Sequence, residues 1–256
     1  MKLIHAFILG LVEGVTEFLP VSSTGHLILT AYLLGLTHTP FLKSFEITVQ
    51  LGAVLALVFL YYEKLLRSPR LWLKVLVAFL PTGAVGFLLY KLIKGYLIGN
   101  DAVVVSALIA GGLVLILVDL KLKRYEYEEV EQLPLRKAFF VGLFQSLAVI
   151  PGVSRSGASI VGGMLVGLSR KAAADFAFLL AIPTMLAATA YDLYKTGPSF
   201  RAEEWELLAA GFFTAFLSGL VVVKWFLNFL KRHGLWVFGV YRIVVGLVYA
   251  AFFLRL

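Results

Sequence analysis

Two stretches of this chain are apolar for more than thirty residues and yet broken in the middle. Residues 1–36 contain LPVSSTG at 19–25, and residues 136–168 contain IPGVSRSG at 150–157. Proline lacks a backbone donor and disfavours helix at the residue before it, so each break leaves backbone groups without helical partners. Six other stretches, about 44–62, 71–90, 102–120, 172–194, 205–227 and 236–254, are nearly uncharged and of the length that crosses a bilayer. The chain is 61% hydrophobic and 15% charged, which makes it a polytopic membrane protein. At membrane depth, irregular backbone is tolerated only where protein or a watery cavity satisfies it. Each broken region is therefore expected to dip in as a re-entrant helix pair and return. Glu13 and Glu17 interrupt the first apolar run and no small-x-small cleavage site follows, so this segment is expected to be retained rather than removed as a signal peptide. Cysteine is absent, which excludes thiolate chemistry and disulfides. The net charge of +8 fits basic loops beside anionic head groups, and no nucleic-acid partner is expected.

The two broken regions match each other at an offset of 132 residues. Gly10 and Leu11 align with Gly142 and Leu143, Ser22 with Ser154, Thr24 with Ser156 and Gly25 with Gly157, and then Gly35, Leu36 and Thr37 with Gly167, Leu168 and Ser169. A shared offset near half the chain length implies duplication. The expected fold is an all-α polytopic membrane protein built as an inverted repeat, each half holding one re-entrant or broken helix pair plus three transmembrane helices. It forms a single integral membrane domain over 1–256, with halves of about 1–120 and 136–256 linked by a cytoplasmic loop at 121–135. One side of this topology carries Lys2, Lys43, Lys91, Lys94, Lys195, Arg201 and Arg255. The other carries twice as many basic residues, among them Arg67, Arg70, Lys121, Lys123, Arg124, Arg170 and Arg232. The positive-inside bias makes the richer side cytoplasmic and places both termini outside.

The breaks also gather the chain's polar chemistry. Pro20 ends the incoming segment, and Ser22 or Ser23 suits the amino-cap of the outgoing one, so a helix N-terminus points into the protein where its free N–H groups favour an anion. Arg155 on the opposite tip brings a fork-shaped cation to the same place. Glu13 and Glu17 are spaced i, i+4 on one helical face and suit a divalent cation. His26 lies three residues after Ser23, where an imidazole can activate a hydroxyl. Other roles compete: Ser22 suits a cap as well as a phosphate contact, and Glu46 and Gln50 suit a supporting layer or a pairing with each other.

At these residues the chain resembles the undecaprenyl-diphosphate phosphatases, the bacitracin-resistance family. EGVTEFLPVSSTGH at 13–26 and PGVSRSG at 151–157 are similar to the family's two signature motifs, and the likeness extends through FEITVQLG at 45–52 and the second half. The resemblance implies hydrolysis of undecaprenyl diphosphate to the monophosphate and inorganic phosphate, recycling the lipid carrier of cell-wall precursors and conferring bacitracin resistance. It also implies a bacterial plasma-membrane location, a site open to the extracytoplasmic side and dependence on a metal. Its partners are a polyprenyl diphosphate and membrane lipids, with a second copy of the chain as a further candidate.

The expected mechanism follows from these readings together. Glu13 and Glu17 hold Mg²⁺ or Ca²⁺, and Arg155 helps neutralise the diphosphate. Ser23 is the expected nucleophile with His26 as its base, a histidine nucleophile being the variant. Ser22, Thr24, Gly25, Ser154 and Ser156 are expected to position phosphate oxygens. The rival expectation is a polyprenyl-phosphate transporter or flippase, since inverted repeats with broken helices recur among transporters.

Overall fold

A computed structural model describes every residue except 38, 90–99, 123, 197–200, 202–203 and 254–256. Lys91, Lys94, Lys123 and Arg255, counted among the loop charges, lie outside the described residues. Ten α-helices are described: α1 (Leu3–Thr16), α2 (Ser23–Leu33), α3 (Pro40–Arg67), α4 (Pro69–Leu88), α5 (Asp101–Lys121), α6 (Leu135–Ser146), α7 (Arg155–Leu165), α8 (Arg170–Thr196), α9 (Trp205–Leu230) and α10 (Trp236–Phe253). Six of them, α3, α4, α5, α8, α9 and α10, are long and apolar enough to cross a membrane and fall on the six predicted stretches. The remaining four have 11 to 14 residues. At 1.5 Å per residue they are too short to span a hydrocarbon core of about 30 Å, as re-entrant halves must be.

The repeat is written in the backbone. Ser22 (φ 71°) and Ser154 (φ 74°) are the two described non-glycine residues with positive φ, and they are partners at the offset of 132. Helices α2 and α7 also end alike. Gly35 and Gly167 take positive φ, with Gly35 N–H donating to Tyr32 O and Leu36 N–H to Ala31 O, matched by Gly167 to Met164 and Leu168 to Gly163. This crossed pair of bonds closes a helix only when the residue after it is left-handed, the conformation glycine adopts without a Cβ penalty. Packing follows the same exchange: α1 lies on α9 as its repeat mate α6 lies on α4, and the mates α5 and α10 lie on each other.

Small residues set these crossings, since lipid tails leave little hydrophobic drive between helices and close backbone approach must supply the dispersion contact. Gly10 and Gly14 form a GxxxG step on α1, each against a carbonyl of α9, at Gly211 and Ala215. Gly142 on α6 sits so tightly on α4 that a Cβ there would lie 1.8 Å from Ala78 O. Helix α8 runs through the centre, where every residue from Ala172 to Ile182 except Asp175 is buried. The connecting loop at 121–135 is strapped to the turn after α7 through Glu126 and Tyr127 N–H to Gly167 O and Ser169 N–H to Tyr127 O.

Gly142→Ala should lower the melting temperature of the detergent-solubilised protein by roughly 2 to 10 °C, the usual consequence of overpacking a tight site. Gly86→Ala meets nothing within 4 Å and should leave it unchanged. Equal melting temperatures for both variants would remove close approach as the determinant of the α4–α6 contact.

Candidate active site

The two breaks become two hairpin tips that meet in the interior. One runs from the end of α1 to Ser22, the other from the end of α6 through a short 3₁₀ turn (Leu147–Val149) to Ser154. Ser156 Oγ donates to Leu19 O at 2.7 Å, tying the second tip to the first. The larger tie is Arg242 of α10, 1% exposed. Its guanidinium donates to Pro20 O (3.2 Å) on one tip, to Gly152 O (2.8 Å) and Val153 O (2.8 Å) on the other, and to Ala107 O (2.9 Å) and Leu108 O (3.3 Å) on α5. Three carbonyls that the breaks would leave bare, those of Pro20, Gly152 and Val153, are thus satisfied by one side chain, whose charge is spread over these dipoles and two more from the continuous helix α5.

Above the tips lies a cavity of about 630 Å³. Its floor carries Glu17, Ser22, Ser23, Thr24, Ser154 and Arg155, and its walls are mostly apolar, including Phe79 and Phe87 of α4, Ile47 of α3 and Met185 and Ala188 of α8. At the floor, Ser23 Oγ donates to Glu17 Oε2, and Arg155 Nη2 donates to Glu17 Oε1 at 2.9 Å. Nη1 of Arg155 reaches Ala177 O at 3.3 Å, while its Nε–H is buried with no acceptor. The result is a hydroxyl on a carboxylate whose second oxygen is held by a guanidinium, the arrangement of nucleophile, base and orienting group. A donor of the guanidinium remains for an incoming anion.

The remaining predicted residues go elsewhere. His26 does not reach Ser23: its Nδ1 donates to Ser22 O at 2.8 Å, and its Nε2 pairs with Tyr241 OH at 2.8 Å under a near-parallel ring stack. The imidazole prefers the carbonyl one turn back, exposed by the left-handed Ser22, and both nitrogens are then committed. The acceptor next to Ser23 is the Glu17 carboxylate. Ser156 and Gly25 are buried off the cavity, Ser156 serving as the tie described above. Ser154 lines the cavity while capping α7, accepting from Gly157 N–H at 3.1 Å. Glu13 is fully buried behind Glu17, its carboxyl group within side-chain hydrogen-bonding reach of the Glu17 carboxyl, with Glu46 and Arg155 as further charged neighbours and no N–H or O–H group of another residue on either oxygen. A buried carboxylate without donors is costly. No three His, Asp or Glu side chains converge as a metal site among the described residues, so Glu13 and Glu17 are the two carboxylates at this place.

A family model described as bacitracin resistance protein BacA matches residues 6–248. The chain belongs to this family. Among its relatives, an undecaprenyl-diphosphatase of Aquifex aeolicus is 64% identical over 251 residues, 98% of this chain and 98% of the relative. One from Thermus thermophilus is 53% identical over 254 residues, 98% of this chain and 97% of the relative. One from a Sulfurihydrogenibium species is 52% identical over 251 residues, 97% of this chain and 98% of the relative. In this BacA family member, Arg242, which the two motifs do not include, is the residue that joins the tips. Arg242 sits in the middle of a span, VFGVYRIVVG, where an ionisable residue is itself a sign of function.

Arg242→Leu should destabilise the protein severely, by roughly 1–3 kcal/mol for each carbonyl left without a donor, and Arg242→Lys should recover only part of this because an ammonium cannot reach five acceptors in one plane. Thermal unfolding in detergent reads the order wild type, Lys, Leu. A Leu variant as stable as wild type would show that the tips do not depend on this clasp.

Proposed function

We propose that the chain hydrolyses undecaprenyl diphosphate to undecaprenyl phosphate and inorganic phosphate in the bacterial plasma membrane. One observation carries the reading: Ser23 Oγ–H rests on Glu17, and Glu17 rests on Arg155, at the floor of an apolar-walled cavity. The names of the relatives agree with it. The diphosphate would settle on the floor with the Arg155 guanidinium and the α2 N-terminus beside its oxygens, and with Ser22, Thr24 and Ser154 around it. The prenyl chain would lie along Phe79, Phe87 and Met185. Ser23 Oγ then attacks the terminal phosphorus and gives its proton to Glu17, while the bond to the bridging oxygen breaks and undecaprenyl phosphate leaves with that electron pair and takes up the proton from Glu17, which frees the carboxylate for the next step. Water, relieved of a proton by the same carboxylate, cleaves the phosphoserine, and Ser23 recovers its hydrogen as phosphate departs. His26, paired with Tyr241, holds the first turn of α2 and with it Ser23.

Glu13 and Glu17, two adjacent carboxylates, would hold a divalent cation, Mg²⁺ or Ca²⁺. Bound there, it would neutralise phosphate charge. The cavity opens among the start of α3 and the ends of α4 and α8, the ends that the loop charges place outside. This supports access from the extracytoplasmic face.

Purified protein should release phosphate from undecaprenyl diphosphate. Ser23→Ala and Glu17→Gln should each lower turnover by about 10²-fold or more, and Arg155→Lys should not restore it, because a point charge does not reproduce a fork. Chelation should abolish turnover, and Glu13→Gln should raise the cation concentration needed to restore it. Unimpaired turnover by Ser23→Ala would sink the serine mechanism. For orientation, single cysteines at Arg124 and Arg201 enter a chain without background thiols. An impermeant thiol reagent on intact cells should label 201 and spare 124, and the reverse pattern would invert the topology.

A further inference from the structure

We propose that Gln145 is a positioning residue for this reaction, whose carboxamide sets the place of Arg155 by joining four helices beneath the cavity. The inference rests on the phosphatase reading above and deepens it. Gln145 is 0% exposed at the C-terminal end of α6. Its Nε2 donates to Thr82 Oγ1 of α4 (3.1 Å) and to Thr184 Oγ1 of α8 (2.9 Å), and its Oε1 accepts from Ser159 Oγ of α7 (2.9 Å). Ser159 Oγ shares its hydrogen with Arg155 O, also at 2.9 Å, so the amide reaches the residue that bears the guanidinium through one hydroxyl.

The direction of each bond to the amide is determined. Thr82 donates its own hydrogen to Gly142 O (3.0 Å) and Thr184 to Leu180 O (2.7 Å), so each threonine oxygen can only accept from Gln145. The carboxamide uses both N–H groups and its oxygen, which neither a carboxylate nor a hydrocarbon reproduces. Thr82, Thr184, Gln145 and Arg155 all border the cavity. The walls supplied by α4 and α8 are therefore tied to the first turn of α7, where Arg155 reaches across to Glu17.

The geometry also makes the test clean. Replacing Gln145 by leucine leaves no buried donor bare, since Thr82, Thr184 and Ser159 keep their bonds to backbone carbonyls, so the variant should fold. Arg155 would lose its registration, and each site should hold a diphosphate less well. Partial unfolding acts differently: it lowers the number of competent sites, and so kcat and binding stoichiometry, without changing the Kd of those that remain.

The experiment compares wild type, Gln145→Leu, Thr184→Val and the double variant, all purified in detergent. It measures KM and kcat for undecaprenyl diphosphate and, by calorimetry, the Kd and stoichiometry for inorganic pyrophosphate as a tail-less head group. Gln145→Leu should raise both KM and pyrophosphate Kd about tenfold at unchanged stoichiometry, equivalent to about 1.4 kcal/mol. Thr184→Val should give part of this rise, with little added in the double variant because both act through one contact. A Gln145→Leu protein with KM and Kd within twofold of wild type, or with reduced stoichiometry alone, overturns the proposal. Wild-type protein that neither turns over the lipid nor binds pyrophosphate overturns the phosphatase reading, and this inference with it.

Discussion

Hydrocarbon offers no hydrogen bonds, so a chain that breaks two helices at membrane depth must supply every missing partner itself. In this protein the guanidinium of Arg242 does so, holding carbonyls from both tips and from α5 at once. The site depends on that clasp. Glu17 and Ser23 belong to one tip and Arg155 to the other, and they meet only because the tips are held face to face. The positive charge of Arg242 is absorbed by dipoles rather than by a carboxylate, which keeps the neighbouring acids for other work.

Duplication supplied two equivalent tips, and the two have since divided the labour. At the offset of 132, Ser23 corresponds to Arg155, Glu13 to Gln145, Glu17 to Val149 and His26 to Ala158. The first half holds the hydroxyl and both acids, the second the cation and a neutral amide. A symmetric site would place like charges opposite one another, whereas this one pairs Glu17 with Arg155 across the pseudo-axis. The fully hydrogen-bonded Gln145 and the buried acid Glu13 are the same position in the two halves, one joined to three other helices and the other set beside a second carboxylate.

The inverted-repeat architecture is shared with transporters, but the chemistry at the floor is more than anion binding requires. A transported anion needs donors and a way out. A hydroxyl seated on a carboxylate is what the proposed phosphoryl transfer needs, and the family to which the chain belongs is consistent with that reading.

Much was legible in the chain alone. Apolar length announced six spans, proline and serine within apolar runs announced two re-entrant pairs, and the offset of 132 announced the repeat, because these are local or periodic properties of the chain. Glu17 and Arg155 stood out because charged groups are costly at that depth, and Ser23 because it sits at the helix break near His26. What the sequence could not decide was which groups face each other. Three residues separate Ser23 from His26 and six separate it from Glu17, yet the left-handed turn at Ser22 offers its carbonyl to the imidazole and folds the hydroxyl back onto the carboxylate. Arg242 lies more than two hundred residues from Pro20 and Gln145 sixty-three from Thr82, so no spacing rule links them. Composition and periodicity settle which groups enter the membrane interior, since that cost arises residue by residue. Which of them pair is settled only by tertiary packing, since a hydrogen bond is directional and depends on where two distant backbones place its ends.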